Sequence, residues 1–332
     1  MIVDCAHYVR GGRQHDGPLA LEQAAACRRS GGSFVWLELH EPDAAVMAEV
    51  RRGFDLHELA VEDASRAHQR PKVETYDTFW FLVFKTVRYD AATRGVQIGE
   101  LDLFVGAGYV IAVRHGHAAD LARVRRRLED RDELMRSGPA AVVWGILDAV
   151  VDDYRPVVEG LERDIEDVEH AIFADRQDAT ERIHFLKQEV GEIYRAVHPL
   201  LEPLDAIEHG AFEEMDRKLL RYFRDINDHL RRVHEEVLAQ REQLGSALDA
   251  NVSLMTVRQN EIAARQNETA KQLTVVATVF LPLTFLTGFF GQNFDWLVTH
   301  VGSAADFLVF GVGSMALACV GLLALFRRGG YI

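Results

Sequence analysis

The residues best suited to bind a cation follow a long uncharged stretch near the end of the chain. Gly291, Gln292 and Asn293 come directly after an apolar run, and Asp295 follows them. A glycine can end a helix, and the asparagine then presents a neutral amide oxygen. Mg²⁺ gives up its octahedral waters reluctantly, so a ring of neutral oxygens that touches those waters can select this ion. Gly291, Gln292 and Asn293 are therefore predicted to form a selectivity filter, and Asp295 to attract cations toward it.

A seam of small or weakly polar residues leads up to this motif. The repeated sequence Arg-Gln-Asn-Glu at 258–261 and 265–268 places Asn260 and Asn267 only about 20° apart around a helix. The seam continues through Asn267, Ala270, Leu273 or Thr274, Ala277, Leu281, Thr284 and Gly288, while Val276, Phe280, Phe285 and Phe289 are assigned to the other face. Such a seam is typical of a coiled coil whose polar residue sets the register, and equally of an aqueous pore. The pore interpretation requires an oligomer, because two spans of one chain cannot enclose a water path.

Two helices that span a membrane must position these residues. The 23 residues 272–294 and the 20 residues 307–326 carry no charge, and a hydrocarbon core of about 30 Å needs ~20 helical residues. The connection 295–306 contains two aspartates and no Lys or Arg, whereas basic residues precede the first span and Arg327 and Arg328 follow the second. The positive-inside rule then places both termini in the cytoplasm, which predicts a multi-pass protein of the cell inner membrane.

The remaining sequence predicts a large acidic cytoplasmic part. The chain of 332 residues has a formal charge of -14, all of which belongs to the first 271 residues. An acidic surface argues against nucleic-acid binding and favours cations as partners. Runs rich in β-branched and aromatic residues at 34–39, 79–89 and 101–115 predict strands, with a turn at residues 106–108, and helices are predicted at 43–54 and 56–67. No HExxH, phosphate-loop or GxSxG motif is present, so an enzyme is not expected, nor an organic cofactor.

Several segments together resemble the CorA family of divalent-cation channels. These are TVFLPLTFLTGFFGQNF at 278–294, where the family signature is Gly-Met-Asn, and LHELAVED (56–63), HQRPKVE (68–74), VVDDY (150–154) and YFRD (222–225), in family order. The resemblance covers about residues 34–328. It implies an α+β membrane protein with a cytoplasmic α/β/α domain, a helical hairpin, a long stalk helix that continues into the first span, and a second span. It also implies a homopentamer embedded in membrane lipid.

The resemblance further implies a domain plan and a regulatory site. The plan assigns 1–150 to the α/β domain, 151–205 to the hairpin, 206–271 to the stalk, 272–294 and 307–326 to the transmembrane helices, 295–306 to the external loop and 327–332 to a basic cytoplasmic tail. A regulatory Mg²⁺ is expected between Asp63 of one subunit and Asp225 of the next, with Glu62 and Asp228 nearby. The implied activity is uptake of Mg²⁺, and also of Co²⁺, gated by cytoplasmic Mg²⁺.

Two departures from the family pattern leave alternatives open. The signature methionine is Gln292 here, and a zinc-transporting branch of the family likewise lacks that methionine. The doubled Arg-Gln-Asn-Glu leaves Asn260 and Asn267 as candidates for the inner polar ring, and the spacing to the membrane favours Asn267. A zinc or other transition-metal transporter of the same fold, or a membrane-anchored cation sensor that does not conduct, are the competing interpretations.

Overall fold

The computed structural model describes residues 1–15, 17–28, 32–116, 119–174, 178–209, 217–292, 295–300 and 302–329. The chain divides into two compact units, Met1–Asn251 and Val252–Ile332. The first unit contains a mixed sheet with helices on both faces. The second contains the apolar helices.

A seven-stranded sheet forms the centre of the first unit. Its strands are β1 (Ile2–Val9), β2 (Gly12–Arg13), β3 (Ser33–His40), β4 (Lys72–Thr75), β5 (Phe79–Asp90), β6 (Gly95–Gly106) and β7 (Tyr109–His115). The strand order is β2-β1-β3-β7-β6-β5-β4. The β3–β7 pair is parallel, and the other neighbouring pairs are antiparallel. The strands predicted at 34–39, 79–89 and 101–115 are confirmed, the last of them as β6 and β7.

The turn between β6 and β7 depends on Gly108. A Cβ atom at this position would lie 2.2 Å from the carbonyl oxygen of Arg28, so only glycine fits against that backbone. The Gly108 carbonyl in turn accepts a hydrogen bond of 3.0 Å from the Val35 amide on β3. The predicted turn at residues 106–108 is therefore confirmed, and it ties β6 and β7 to the first half of the sheet.

Helices cover both faces of this sheet. On one face lie α1 (Leu21–Cys27), α2 (Ala44–Phe54) and α3 (Glu58–Arg66). Their apolar residues share a buried core with alternate residues of the strands, among them Val35, Leu37, Phe81, Phe104 and Ile111. The other face carries α4 (Leu121–Glu129), α5 (Asp132–Met135) and the long α6 (Pro139–Phe173), where the buried Tyr154 donates a 2.6 Å hydrogen bond to the Lys85 carbonyl. The predicted α/β/α arrangement is confirmed.

Beyond α6 the described residues of the first unit are helical or in short turns. Helix α7 (Ala179–Val197) follows α6, and a 3₁₀ turn (His198–Leu200) leads to α8 (Leu201–Glu208). Helix α9 is then a single run of 74 residues, Arg217–Phe290, that contains the boundary between the two units. The domain boundaries drawn from the sequence stay predictions.

The second unit contains two helices that are long and apolar enough to cross a membrane, as predicted. The first is the end of α9. After it come α10 (Asp295–His300), α11 (Ala304–Asp306), a π-helical turn (Phe307–Val312) and α12 (Gly313–Arg328). The hydroxyl of Ser303 begins this second apolar helix, because it accepts a hydrogen bond of 3.1 Å from the Asp306 amide. The expected loop 295–306 is therefore partly helical.

Candidate cation sites

The seam of α9, from Asn267 to Gly288, is exposed to solvent in the single chain. Its seven residues are all exposed, and the side chains of Leu273 and Leu281 keep 69% and 75% of their accessible surface. At 100° per residue, six of the seven lie within about 40° of the direction of Ala277, whereas Asn267 lies about 80° away. The seam is thus a narrow stripe within the span. Asn267, the first residue of the seam, lies to one side of this stripe.

The opposite face of the same helix is half-buried. It contains Val275, Val279, Leu283 and Leu286, which lie within about 60° of the direction opposite to Ala277. The four residues assigned to this face from the sequence lie elsewhere, since Val276, Phe280, Phe285 and Phe289 are about half exposed or more and flank the seam on its two sides. A rotation of about 100° per residue places them on the flanks of the seam, and their role in facing lipid or neighbouring helices stays a prediction. The back of the helix is therefore less exposed than the seam.

Two threonine hydroxyls turn acceptor oxygens outward from this helix. Thr284 donates a hydrogen bond of 2.9 Å to the Phe280 carbonyl, and Thr274 donates one of 2.8 Å to the Ala270 carbonyl. Each hydroxyl proton is therefore used within the helix, and the oxygen lone pairs remain available. Neutral oxygens of this kind suit the water shell of a hydrated cation.

The predicted filter begins where α9 ends. The last helical residue is Phe290, the Gly291 amide donates a 2.9 Å bond to the Thr287 carbonyl, and Gln292 is exposed. Asn293 lies outside the described residues, so its role in the filter stays a prediction. Asp295 is the exposed first residue of α10, where a negative charge is favoured by the helix dipole.

Asp63 already has a cationic partner within its own chain. It lies on α3, and the ammonium of Lys72 on β4 is 2.7 Å from its carboxylate and equally 2.7 Å from Glu74. Burial alone would lower the pKa of Lys72, but the two carboxylates outweigh it and hold the pKa above its ordinary value. Glu62 pairs separately with Arg66 at 2.7 Å. A divalent ion at Asp63 must therefore compete with a tethered ammonium.

Asp225 belongs to a different group of charges, which sequence reasoning missed. It lies on α9, and its charge contributes to a raised pKa of Asp152 on α6, after burial and after the charge of Asp148. His229 acts in the opposite direction on the same carboxyl. The spacing of four residues in Asp148/Asp152 and in Asp225/His229 places each pair on one helix face, but no spacing within one helix brings the two pairs together.

The described residues of one chain do not complete a metal site. They contain no group of three or more His, Cys, Asp or Glu side chains placed to hold a metal ion. Asp63 and Asp225 have different neighbours, and Asp228 stands one turn beyond Asp225 on α9. The pKa of buried Asp102 is raised well above its ordinary value, first by burial and then by Glu100, and the charge of Asp63 acts in the same direction. A regulatory ion would therefore need groups from a second copy.

Comparisons with known proteins agree with this architecture. Residues 31–328 match the model of the family described as CorA-like Mg²⁺ transporter protein. The protein YfjQ of Bacillus subtilis is 28% identical over 303 residues, which cover 90% of each chain. The cobalt/magnesium transport protein CorA of Thermotoga maritima is 27% identical over 274 residues, 81% of this chain and 76% of that protein. In fold, the complete CorA magnesium transporter from Methanocaldococcus jannaschii superposes with a TM-score of 0.65 and 16% identity over 100% of both chains.

Proposed function

The chain belongs to the CorA-like Mg²⁺ transporter family and is a transporter of divalent cations; on this premise we propose that its main cargo is Mg²⁺, with Co²⁺ as a second substrate. The proposed location is the cell inner membrane, with both termini in the cytoplasm. The observation that carries the proposal is the bare seam of α9 opposite a half-buried face. A helix that has one half-buried face, and small and weakly polar residues along the middle of its exposed face, is suited to line a shared path.

The path is formed by several copies of α9, in our proposal by a homopentamer. Hydrated cations pass along Asn267, Ala270, Ala277, Thr284 and Gly288, whose side chains are small or offer neutral oxygens. Leu273 and Leu281 are the large apolar residues of the same stripe. In the oligomer each forms a ring of side chains, and the path closes where such a ring expels water. Asn293 from each copy selects the ion at the outer end, and Asp295 concentrates cations there.

A second candidate cargo is supported by one specific residue. Gln292 stands where the family signature has methionine, and a zinc-transporting branch shares that departure. In this alternative the chain carries Zn²⁺ or another transition metal by the same path. A cation sensor that is anchored in the membrane without conducting is the third possibility.

Ion uptake into vesicles separates these candidates. The full chain is reconstituted, and uptake of Mg²⁺, Co²⁺, Ni²⁺ and Zn²⁺ is measured in turn. The proposal expects the highest uptake for Mg²⁺ and measurable uptake for Co²⁺. Uptake of Zn²⁺ above that of Mg²⁺ selects the second candidate, and the absence of uptake of all four ions leaves only the sensor.

We further propose that cytoplasmic Mg²⁺ closes the path at the boundaries between copies. Asp63 of one copy faces Asp225 of the next, with Glu62 and Asp228 nearby, within a cytoplasmic part that carries the whole charge of -14. Like charges repel, and a divalent ion between them replaces that repulsion by attraction. Occupied boundaries therefore favour a symmetric closed ring, and depletion shifts the population toward an open one.

Asp63→Asn and Asp225→Asn are each expected to raise uptake at high internal Mg²⁺, because each removes a charge that the closing ion needs. The same variants should lose Mg²⁺ protection of the cytoplasmic domain against protease. Glu242→Gln, which neutralises an exposed acid farther along α9, is the matched control and should behave as wild type. Wild-type inhibition and wild-type protection in both aspartate variants would rule out regulation at these residues.

Lys72→Met is expected to have the opposite effect. It removes the ammonium that occupies the Asp63 carboxylate, and a partly exposed ion pair is worth roughly 1 kcal/mol. Half-maximal inhibition should therefore occur at about fivefold lower internal Mg²⁺. Lys187→Met, at an exposed position on α7, controls for the lost charge. An unchanged or higher inhibiting concentration in Lys72→Met would show that Lys72 does not compete with the regulatory ion.

A further inference from the structure

Two histidines from distant parts of the chain meet on the surface of the first unit. His198 opens the 3₁₀ turn after α7, and His234 lies on α9, 36 residues later. Their nearest ring nitrogens, Nδ1 of His198 and Nε2 of His234, are 3.1 Å apart. His198 is exposed and His234 is half-buried, so both nitrogens can be reached from solvent. Neither histidine belongs to the path or to the boundary sites.

Aromatic contacts fix the orientation of the pair. The ring of Tyr194 stacks on His198 with centroids 4.9 Å apart and an interplanar angle of 10°. The guanidinium of Arg241 in turn lies over the Tyr194 ring, 4.4 Å from the centroid of that ring. The two imidazoles lie 5.2 Å apart at 24°. The histidine rings are thus held near each other before any ligand arrives.

This geometry is close to that of a two-histidine metal clamp. Zinc binds imidazole nitrogen at about 2.0–2.1 Å in tetrahedral sites, which places two ligating nitrogens roughly 3.3 Å apart. The observed 3.1 Å needs only a small adjustment. The single N–H that now bridges the rings can move to the other nitrogen of its own ring, so both lone pairs become available without net proton loss.

We propose that His198 and His234 form a binding site for a transition-metal dication such as Zn²⁺, Co²⁺ or Ni²⁺, with water completing the coordination. Imidazole suits these ions, whereas Mg²⁺ prefers oxygen ligands, so the site distinguishes them from Mg²⁺. Burial and then the neighbouring His198 lower the pKa of His234 below its ordinary value. The bound ion joins the end of α7 to α9. The inference holds whether or not the chain conducts.

Titration of the full chain in detergent, in excess Mg²⁺, tests the site. The excess Mg²⁺ occupies oxygen-rich sites, and binding of Zn²⁺ is followed by calorimetry while Co²⁺ is followed by its visible absorption. Wild type should bind one ion per chain with nitrogen ligation. His198→Ala and His234→Ala should each bind at least about tenfold more weakly, since one ligand alone makes no clamp. The double variant should bind the ion no more weakly than either single variant does.

Matched variants keep the test independent of folding and of transport. His184→Ala removes another surface histidine of α7, whose Nε2 lies 3.5 Å from the side-chain amide nitrogen of Gln188, and should bind as wild type. His198→Gln retains a polar side chain and should still lose the ion, with an unchanged thermal midpoint in metal-free buffer. Wild-type affinity in both alanine variants, or displacement of Zn²⁺ by Mg²⁺, would overturn the proposal. Mg²⁺ uptake by the same variants is measured in parallel, so a loss of transport is recognised separately.

Discussion

Replacing Asn293 with alanine is expected to abolish selective Mg²⁺ uptake while the protein remains folded. The substitution removes the neutral oxygen acceptors of the proposed filter and neither buries nor exposes a charge. In a ring of copies the loss is repeated at every subunit, so the waters around the ion lose all of their partners together. Because Mg²⁺ keeps its water shell, recognition of those waters is the step that should fail. The measurement is uptake of Mg²⁺ and Co²⁺ into vesicles.

Gln272→Ala is the matched control for this substitution. Gln272 is another amide side chain at the inner end of the same span, about 140° around the helix from Ala277, so it should not face the path. Its uptake should equal that of wild type. Uptake and ion preference unchanged in Asn293→Ala would remove Asn293 from the filter and would leave Gly291 and Gln292 to account for selection.

Leu281→Asn is expected to produce a leak of cations under high cytoplasmic Mg²⁺, the condition that closes the wild-type path in the proposed regulation. Leu281 and Leu273 are exposed on the seam and lie eight residues, or about 12 Å, apart along α9. If rings of these side chains close the path by expelling water, an amide side chain in one ring keeps water in the path at that position. Uptake at inhibiting internal Mg²⁺ should then approach the level of the uninhibited wild type.

Val276→Asn controls for the cost of placing an amide in the span. Val276 is about half exposed and lies about 100° from Ala277, to one side of the seam. It should remain inhibited by internal Mg²⁺. A Leu281→Asn variant that conducts no more than its parent under these conditions would place the closing point elsewhere, and Leu273→Asn then tests the next level.

The spans and most strands were predictable because their signals are local. An uncharged run of 23 residues predicts a membrane helix by its length alone, and aromatic and β-branched runs predicted β3, β5, β6 and β7. Strand β1 was not predicted, although its burial alternates along part of its length, because its polar residues interrupt the apolar run. Strand β4 has four residues, of which two are charged, and is too short to give a pattern.

The site chemistry was less predictable because it depends on residues that are distant in sequence. Helical spacing found the stripe around Ala277, since all of its members lie on one helix. The ammonium of Lys72 meets Asp63 only because β4 lies beside α3, and His198 meets His234 only because the chain returns along α9. No spacing rule within a single element contains such contacts. The arrangement of Asp63 and Asp225 in a ring stays a prediction, since it involves neighbouring copies.

The edges of the seven-stranded sheet bear on how copies can come together and separate. At one edge β2 has two residues, and the carbonyls of Cys5 and His7 on β1 accept hydrogen bonds from the amides of Leu19 and Gln14. At the other edge β4 is short and carries charged side chains. Short, covered or charged edges resist pairing with a second sheet. Pairing between the sheets of two copies is therefore disfavoured, and copies that associate through helices and side chains can dissociate and re-form without exchanging any strand.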